Sequence, residues 1–126
     1  MHKQSFAAII SEQPKTLILG SLPGDLSLEI NQYYGHPRNR FWKMMFEIFE
    51  TEFSEDYEIR KQLILQNKLA LWDVAHSAER KGSMDVDMKN VSPNQIDELL
   101  NEYPTIEKII FNGKKAEQLF WKYFDK

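Results

Sequence analysis

Five side chains lie where a turn or a candidate strand end would expose them: Ser21, Tyr34, Asn39, Asp73 and Asn112. The amide of Asn39 can hold a water through its carbonyl oxygen, or a planar base through both ends. Taken alone, it reads more simply as a helix cap. Tyr34 precedes Gly35, so a flat ring stands beside unshielded backbone, a platform on which a base could stack. Of Tyr33 and Tyr34, one is expected to serve as a core or rim aromatic instead. Asp73 closes an apolar run. If buried, it needs a partner, either Arg80 or backbone N–H groups, and structural ion pairs are about as common as site acids in such positions. His36 precedes a proline and should be exposed, within reach of a phosphate or of nothing.

The turn Gly20-Ser21-Leu22-Pro23-Gly24 punctuates a strand and would let a ligand approach main-chain N–H groups. A plain strand-ending turn is the simpler interpretation. It is no Walker loop, because no Gly-Lys-Ser/Thr follows, and it lacks the G-x-G-x-x-G spacing of dinucleotide sites. Three scattered histidines and no cysteine point to no metal and no cofactor, and exclude a disulfide framework. No Ser/His/Asp order or nucleophile elbow is present.

A chain of 126 residues suits one domain, and 42% apolar content is ample for a core. No apolar run approaches the roughly 20 residues that span a bilayer, and the N-terminus leads into too short an apolar stretch for a signal peptide. The default compartment is a reducing cytoplasm. The net charge of −3 argues weakly against a nucleic-acid partner, but its distribution is uneven. From Met44 to Ile59 there are acids and no Lys or Arg, whereas cations gather at Arg38, Arg40 and Lys43, at Arg80-Lys81, and at Lys114-Lys115. Each cluster alone reads as a solvated face; three converging on one rim would suit an anionic ligand.

The elements that must position these residues follow from periodicity. Ser5 to Ile10 is predicted as a short helix ended by Gln13-Pro14. Thr16 to Gly20, Leu69 to Val74 and Ile106 to Phe111 are predicted strands. One helical turn is expected over Ser27 to Gln32. A helix capped by Asn39 should run to about Phe49 and bury Trp42, Met45, Phe46 and Phe49. The next should start at Ser54, bury Ile59 and Leu63, and stop at Asn67. Ala75 to Val91 reads as irregular. Ser92-Pro93 with Gln95 reads as a helix start, with Ile96, Leu99 and Leu100 inward. A last helix should bury Ala116, Leu119, Phe120 and Tyr123. Strands alternating with helices imply a mainly parallel sheet, with right-handed crossovers. The strand ends at Gly20, Asp73 and Asn112 then share one edge, where open α/β sheets bind ligands.

Ile18-Leu19-Gly20-Ser21-Leu22-Pro23-Gly24 and Gln32-Tyr33-Tyr34-Gly35-His36-Pro37-Arg38-Asn39-Arg40-Phe41-Trp42 strongly resemble the hypoxanthine-DNA glycosylases of the uracil-DNA glycosylase superfamily. They are similar, more distantly, to mismatch-specific uracil-DNA glycosylases. Leu71-Trp72-Asp73-Val74, Arg80-Lys81-Gly82-Ser83-Met84-Asp85 and Phe111-Asn112-Gly113-Lys114-Lys115-Ala116 also look like that group, so the resemblance covers nearly the whole chain. It implies an α/β fold: a three-layer αβα arrangement with a central parallel sheet, and a DNA site at the strand ends. It implies a DNA repair hydrolase that cleaves the N-glycosidic bond of hypoxanthine or uracil in double-stranded DNA. By that analogy Tyr34 stacks the extruded base, and Leu22, Asp73 and Asn112 complete the base site. Mismatch-specific relatives carry a water-positioning asparagine in the first turn. Ser21 stands there in this chain, as in hypoxanthine-type members, so Asn39 becomes the catalytic candidate beside Ser21. His36, Arg38, Arg80 and Lys114 are the expected DNA contacts.

The resemblance also implies a further strand and a Pro-Ser-rich loop beyond Asp125. This sequence ends at Lys126, so the sheet is expected to lack its last strand and to present an open edge. No lysine is placed for Schiff-base chemistry, so a monofunctional hydrolase is expected. A monomer is expected too, with pairing through the open edge as the alternative. Two other functions stay open: a non-catalytic nucleic-acid-binding module, and an α/β interaction domain that oligomerises through that edge.

Overall fold

The computed structural model describes residues 2–80, 82 and 88–124. Lys81 and the Ser83-Met84-Asp85 part of the family-like block lie outside the described residues, as do Asp125 and Lys126.

Three strands build the parallel sheet: β2 (Thr16–Gly20), β3 (Leu69–Asp73) and β6 (Lys108–Phe111), in the order β3-β2-β6. Their register sets Gly20 beside Asp73 and Leu19 beside Phe111. The amide of Asn112 then donates to the Leu19 carbonyl at 2.8 Å. Hydrophobic runs on all three strands explain this, because a parallel sheet is covered on both faces. Leu17 and Leu19 point to one face, packing with α4 (Ile96–Glu102) and α5 (Lys114–Phe124) through Ile96, Leu99, Ala116, Leu119 and Phe120. Ile18, Leu69 and Leu71 point to the other, against α2 (Phe41–Ile48) and α3 (Tyr57–Gln66) through Trp42, Met45, Phe46, Leu63 and Ile64. The result is the expected three-layer αβα fold with helices on both sides of a parallel sheet. Among the described residues, β6 has no strand on its outer side.

Several local expectations are corrected. Ser5 to Ile10 forms no helix. Strand β1 (His2–Gln4) leads into extended chain, and Ile9 pairs antiparallel with Leu71 through two 2.9 Å backbone bonds, covering the outer edge of β3. Ala75 to Val91 is not wholly irregular: β4 (Ala75–Glu79) joins β1 and β5 (Lys89–Pro93) in a second, antiparallel sheet. Pro93 ends β5, opposite Ala75, so the Ser92-Pro93 helix signal gives way to strand pairing and α4 begins at Ile96. Helix α3 is capped by Asp56, whose carboxylate accepts from the Glu58 amide at 2.9 Å, rather than by Ser54. Ile59 faces outward, and Ile64 takes the inner position beside Leu63. The short helix α1 covers Asp25–Ile30, two residues ahead of the expected turn.

Candidate functional site

The three strand ends open into one cavity of about 350 Å³. The Gly20–Gly24 turn lines it together with Tyr34, His36, Asn39, Asp73 and Asn112. Segments spaced through most of the chain meet here because parallel strands deliver their carboxyl ends to one edge.

The Tyr33–Tyr34 segment is held on every side. The Trp42 indole donates to the Tyr33 carbonyl at 2.7 Å, and the Tyr33 amide donates to the Tyr57 hydroxyl at 3.0 Å. The Gly35 amide donates to the buried Ser27 hydroxyl at 2.8 Å. This network keeps Tyr34 in the left-handed region at φ +52°, a conformation that costs a bulky residue on the order of 1–3 kcal/mol. The bend aims the Tyr34 ring into the cavity with Phe41 behind it, ring centroids 4.1 Å apart. Tyr33 is the core member of the pair. It is buried, and its hydroxyl donates to the Ala7 carbonyl at 3.0 Å. Burial, and secondarily the Asp73 carboxylate, push its phenol far above the ordinary tyrosine range.

Asp73 is buried at the tip of β3, and the Ser5 hydroxyl donates to its Oδ2 at 2.7 Å. The partner seen here is a hydroxyl from the N-terminal segment, whereas Arg80 bonds the Pro23 and Gly82 carbonyls and lies near Asp25. Asn94, itself buried, donates its Nδ2 to the Asp73 carbonyl at 2.7 Å and so fixes the strand end from outside. Gly20 leaves room for both side chains: a Cβ there would lie 2.6 Å from Asp73 Oδ1 and 2.6 Å from the Tyr34 hydroxyl oxygen, so one of them would have to shift. The acid and the phenol therefore crowd over the bare backbone of the first strand's end.

Asn39 bonds the start of α2 and also lines the cavity. Its Oδ1 accepts from the Phe41 amide at 2.9 Å, capping the first turn of α2 from one residue before the formal N-cap, Arg40. That bond uses one lone pair and fixes the amide plane; a carbonyl oxygen has a second, and the Nδ2 has two protons to donate. Asn39 is exposed and lines the cavity, as does His36, whose Nδ1 accepts from the Arg38 amide at 3.0 Å. Arg38 is exposed on the same rim, and Lys114 is exposed at the start of α5, just beyond Asn112.

Arg80 corrects an expectation. It is not a surface contact for DNA but is buried to 1% exposure. It donates to the Pro23 carbonyl at 2.6 Å and the Gly82 carbonyl at 2.7 Å, and it lies 3.8 Å from the Asp25 carboxylate, which also pairs with Lys3. Its role is to brace the Gly20–Gly24 turn from behind. Sequence reasoning passed over Ser5, Ser27, Phe41 and Asn94 as well. Only Asn94 carried a local signal, an amide beside a proline. The others act across gaps that no spacing rule spans.

No cluster of His, Asp or Glu able to hold a metal occurs among the described residues. Nor is any helix long and apolar enough to cross a membrane there.

Comparison with known proteins supplies the family. The model of the Uracil DNA glycosylase superfamily matches residues 8–126. The hypoxanthine DNA glycosylase of Methanosarcina barkeri is 41% identical over 117 residues, covering 92% of this chain and 74% of that relative. The Methanosarcina acetivorans protein of the same name is 38% identical over the same shares. A solution NMR structure from M. acetivorans, provisionally described as a uracil DNA glycosylase, superposes with a TM-score of 0.82 at 34% identity, over 98% of this chain and 79% of that one.

Proposed function

The chain belongs to the uracil DNA glycosylase superfamily, and on that premise we propose that it removes a deaminated base, hypoxanthine or uracil, from double-stranded DNA. The observation that carries this reading is the shared cavity of Tyr34, Asn39, Asp73 and the Gly20–Gly24 turn. The target base leaves the stack before its sugar bond can be reached, at a cost of a few kcal/mol, least at a mispair. Inside the cavity it lies against the Tyr34 ring, with Leu22 on the turn side and Asp73 and Asn112 offered to its polar edge. Asp73 is held in place by its Ser5 bond.

Water attacks the anomeric carbon as the bond from that carbon to the base nitrogen breaks. The electron pair leaves with the base, and the water proton is lost to solvent or to the departing base. Asn39 holds the water on its second lone pair, its plane locked by the Phe41 amide. Ser21, which also lines the cavity, is the second polar contact to that water. Preorganised N–H groups of the turn stabilise charge as it grows on the leaving base. Among the described residues no lysine lines the cavity, which supports a reading of hydrolysis alone that leaves an abasic site.

The test is a duplex carrying one deoxyinosine or one deoxyuridine. After incubation it should break in alkali at that position alone. A duplex that binds and stays intact selects the rival function, a nucleic-acid module of the same fold without catalysis.

A further inference from the structure

Beside the base cavity lies a second cleft of about 690 Å³, on the far side of Tyr34, His36 and Asn39, which line both. Its walls carry Arg38, Arg40, Lys43 and Arg60 against a single acid, Glu55. Among the described residues, none of the four cations lies within 4.0 Å of a carboxylate. Four cations gathered against one acid leave an excess of positive charge, an arrangement that an anionic ligand relieves.

The cleft also has a flat apolar wall. Phe53 is 47% exposed, and the Arg60 guanidinium lies 5.2 Å from its ring centroid and 5.8 Å from that of Trp42. Arg60 is fixed there by its Nε, which donates to the Ser54 carbonyl at 2.8 Å. An arginine stacked on an exposed ring and anchored at its base is a surface for a second planar group.

We propose that this cleft is a second nucleotide subsite. It takes the nucleotide that adjoins the extruded one in the same strand. Its phosphates rest on Arg38, Arg40 and Lys43, and its base lies against Phe53 and Arg60. The assignment rests on the glycosylase reading, because only a base held in the first cavity fixes which nucleotide crosses the Tyr34–Asn39 divide. Tyr34, His36 and Asn39 line both spaces, so a backbone leaving the first cavity over these residues enters the cationic cleft directly.

The experiment titrates the protein with fluorescein-labelled tetrathymidylate, which offers phosphates and pyrimidine rings but no deaminated base. Fluorescence anisotropy is read at several salt concentrations. Arg38→Glu and Lys43→Glu, both on exposed side chains, should each weaken binding about tenfold or more. Removing one phosphate-binding cation should lower the slope of log affinity against log salt by about 0.7. Phe53→Ala should weaken binding about tenfold and leave that slope unchanged, since stacking releases no counterions. Lys15→Glu, at the opposite end of the sheet, should leave both quantities as they were. Parental affinity and slope in both charge-reversal variants would overturn the subsite. The two claims separate on the inosine duplex. Normal tetrathymidylate binding without base release removes the glycosylase reading and leaves a nucleotide cleft. Excision with unchanged KM in Arg38→Glu and Phe53→Ala removes the cleft and leaves the glycosylase.

Discussion

Replacing Gly20 by alanine tests the geometry at the centre of the site. The added methyl would sit 2.6 Å from Asp73 Oδ1 and 2.6 Å from the Tyr34 hydroxyl oxygen, well inside van der Waals contact. Neither neighbour can yield easily. Asp73 is buried, bonded to Ser5, and set in register with Gly20 itself. Tyr34 is backed by Phe41 at 4.1 Å and fixed by a left-handed backbone. Overpacking of this kind costs about 1–3 kcal/mol. At about 2.1 cal/mol/K per residue over 126 residues, that is a fall in Tm of about 4–11 °C. Displacing the acid or the ring by about 1 Å should slow base release roughly hundredfold. The assays are thermal unfolding followed by circular dichroism and single-turnover excision from a deoxyinosine duplex. Tyr34→Phe removes one of the two clashing oxygens, so the Gly20→Ala/Tyr34→Phe double variant should regain part of the lost Tm. A Gly20→Ala protein with parental Tm and parental rate would refute the crowding of Asp73 and Tyr34 over Gly20. Absence of any regain in the double variant would refute the placement of the hydroxyl.

Other perturbations probe the supports of the cavity. Arg80→Met strips the Pro23 and Gly82 carbonyls of a charged donor and should cost about 2–3 kcal/mol, read as a lower urea midpoint; an unchanged midpoint would remove Arg80 as a brace of the turn. Trp42→Phe leaves the Tyr33 carbonyl without its indole partner and should cost about 1–3 kcal/mol, together with slower excision as the Tyr34 wall loosens; retention of both would show that the indole bond is not what holds that wall. The Tyr33 phenol is pushed upward by burial, with Asp73 adding to the effect, so the folded state holds that proton more tightly than the unfolded chain. The stability this contributes is complete below the unfolded value of about 10 and is lost as pH rises above it. Tyr33→Phe should therefore show a shallower decline in urea midpoint between about pH 9 and 11 than the parent, and a parallel decline would contradict the shift.

The parallel sheet was legible because its three strands are short apolar runs, each closed by a polar residue or a glycine. That alone located the strand ends, and the cavity lies there. Tyr34 and Asn39 were legible from their neighbours: Gly35 beside the ring, and a helical apolar period beginning directly after the amide. Strands β4 and β5 were not, because Ala-His-Ser-Ala-Glu and Lys-Asn-Val-Ser-Pro carry almost no β-branched or aromatic residues. Their pairing is imposed by β1 and by the packing of Ala75 and Ala78 against the core. Ser92-Pro93 carries a sound helix-start signal, yet pairing of Pro93 with Ala75 outweighs it. Arg80 was misplaced because arginine is seldom fully buried unless its donors are satisfied. Here the Pro23 and Gly82 carbonyls accept from it, and no local pattern announces a partner 57 residues away. Ser5 reaches Asp73 across 68 residues, a contact that only the finished sheet edge creates.

One comparison bears on the central claim more directly than any other: the single-turnover rate of hypoxanthine release from a deoxyinosine duplex by the parent and by Asn39→Ala, with thermal unfolding of both measured alongside. The parent should release the base and leave an alkali-labile site. Asn39→Ala should lose only the capping bond to Phe41, on the order of 1 kcal/mol, and should slow release by about a hundredfold or more. Equal rates in the two proteins, or a parent that binds the duplex and releases nothing, would contradict the account.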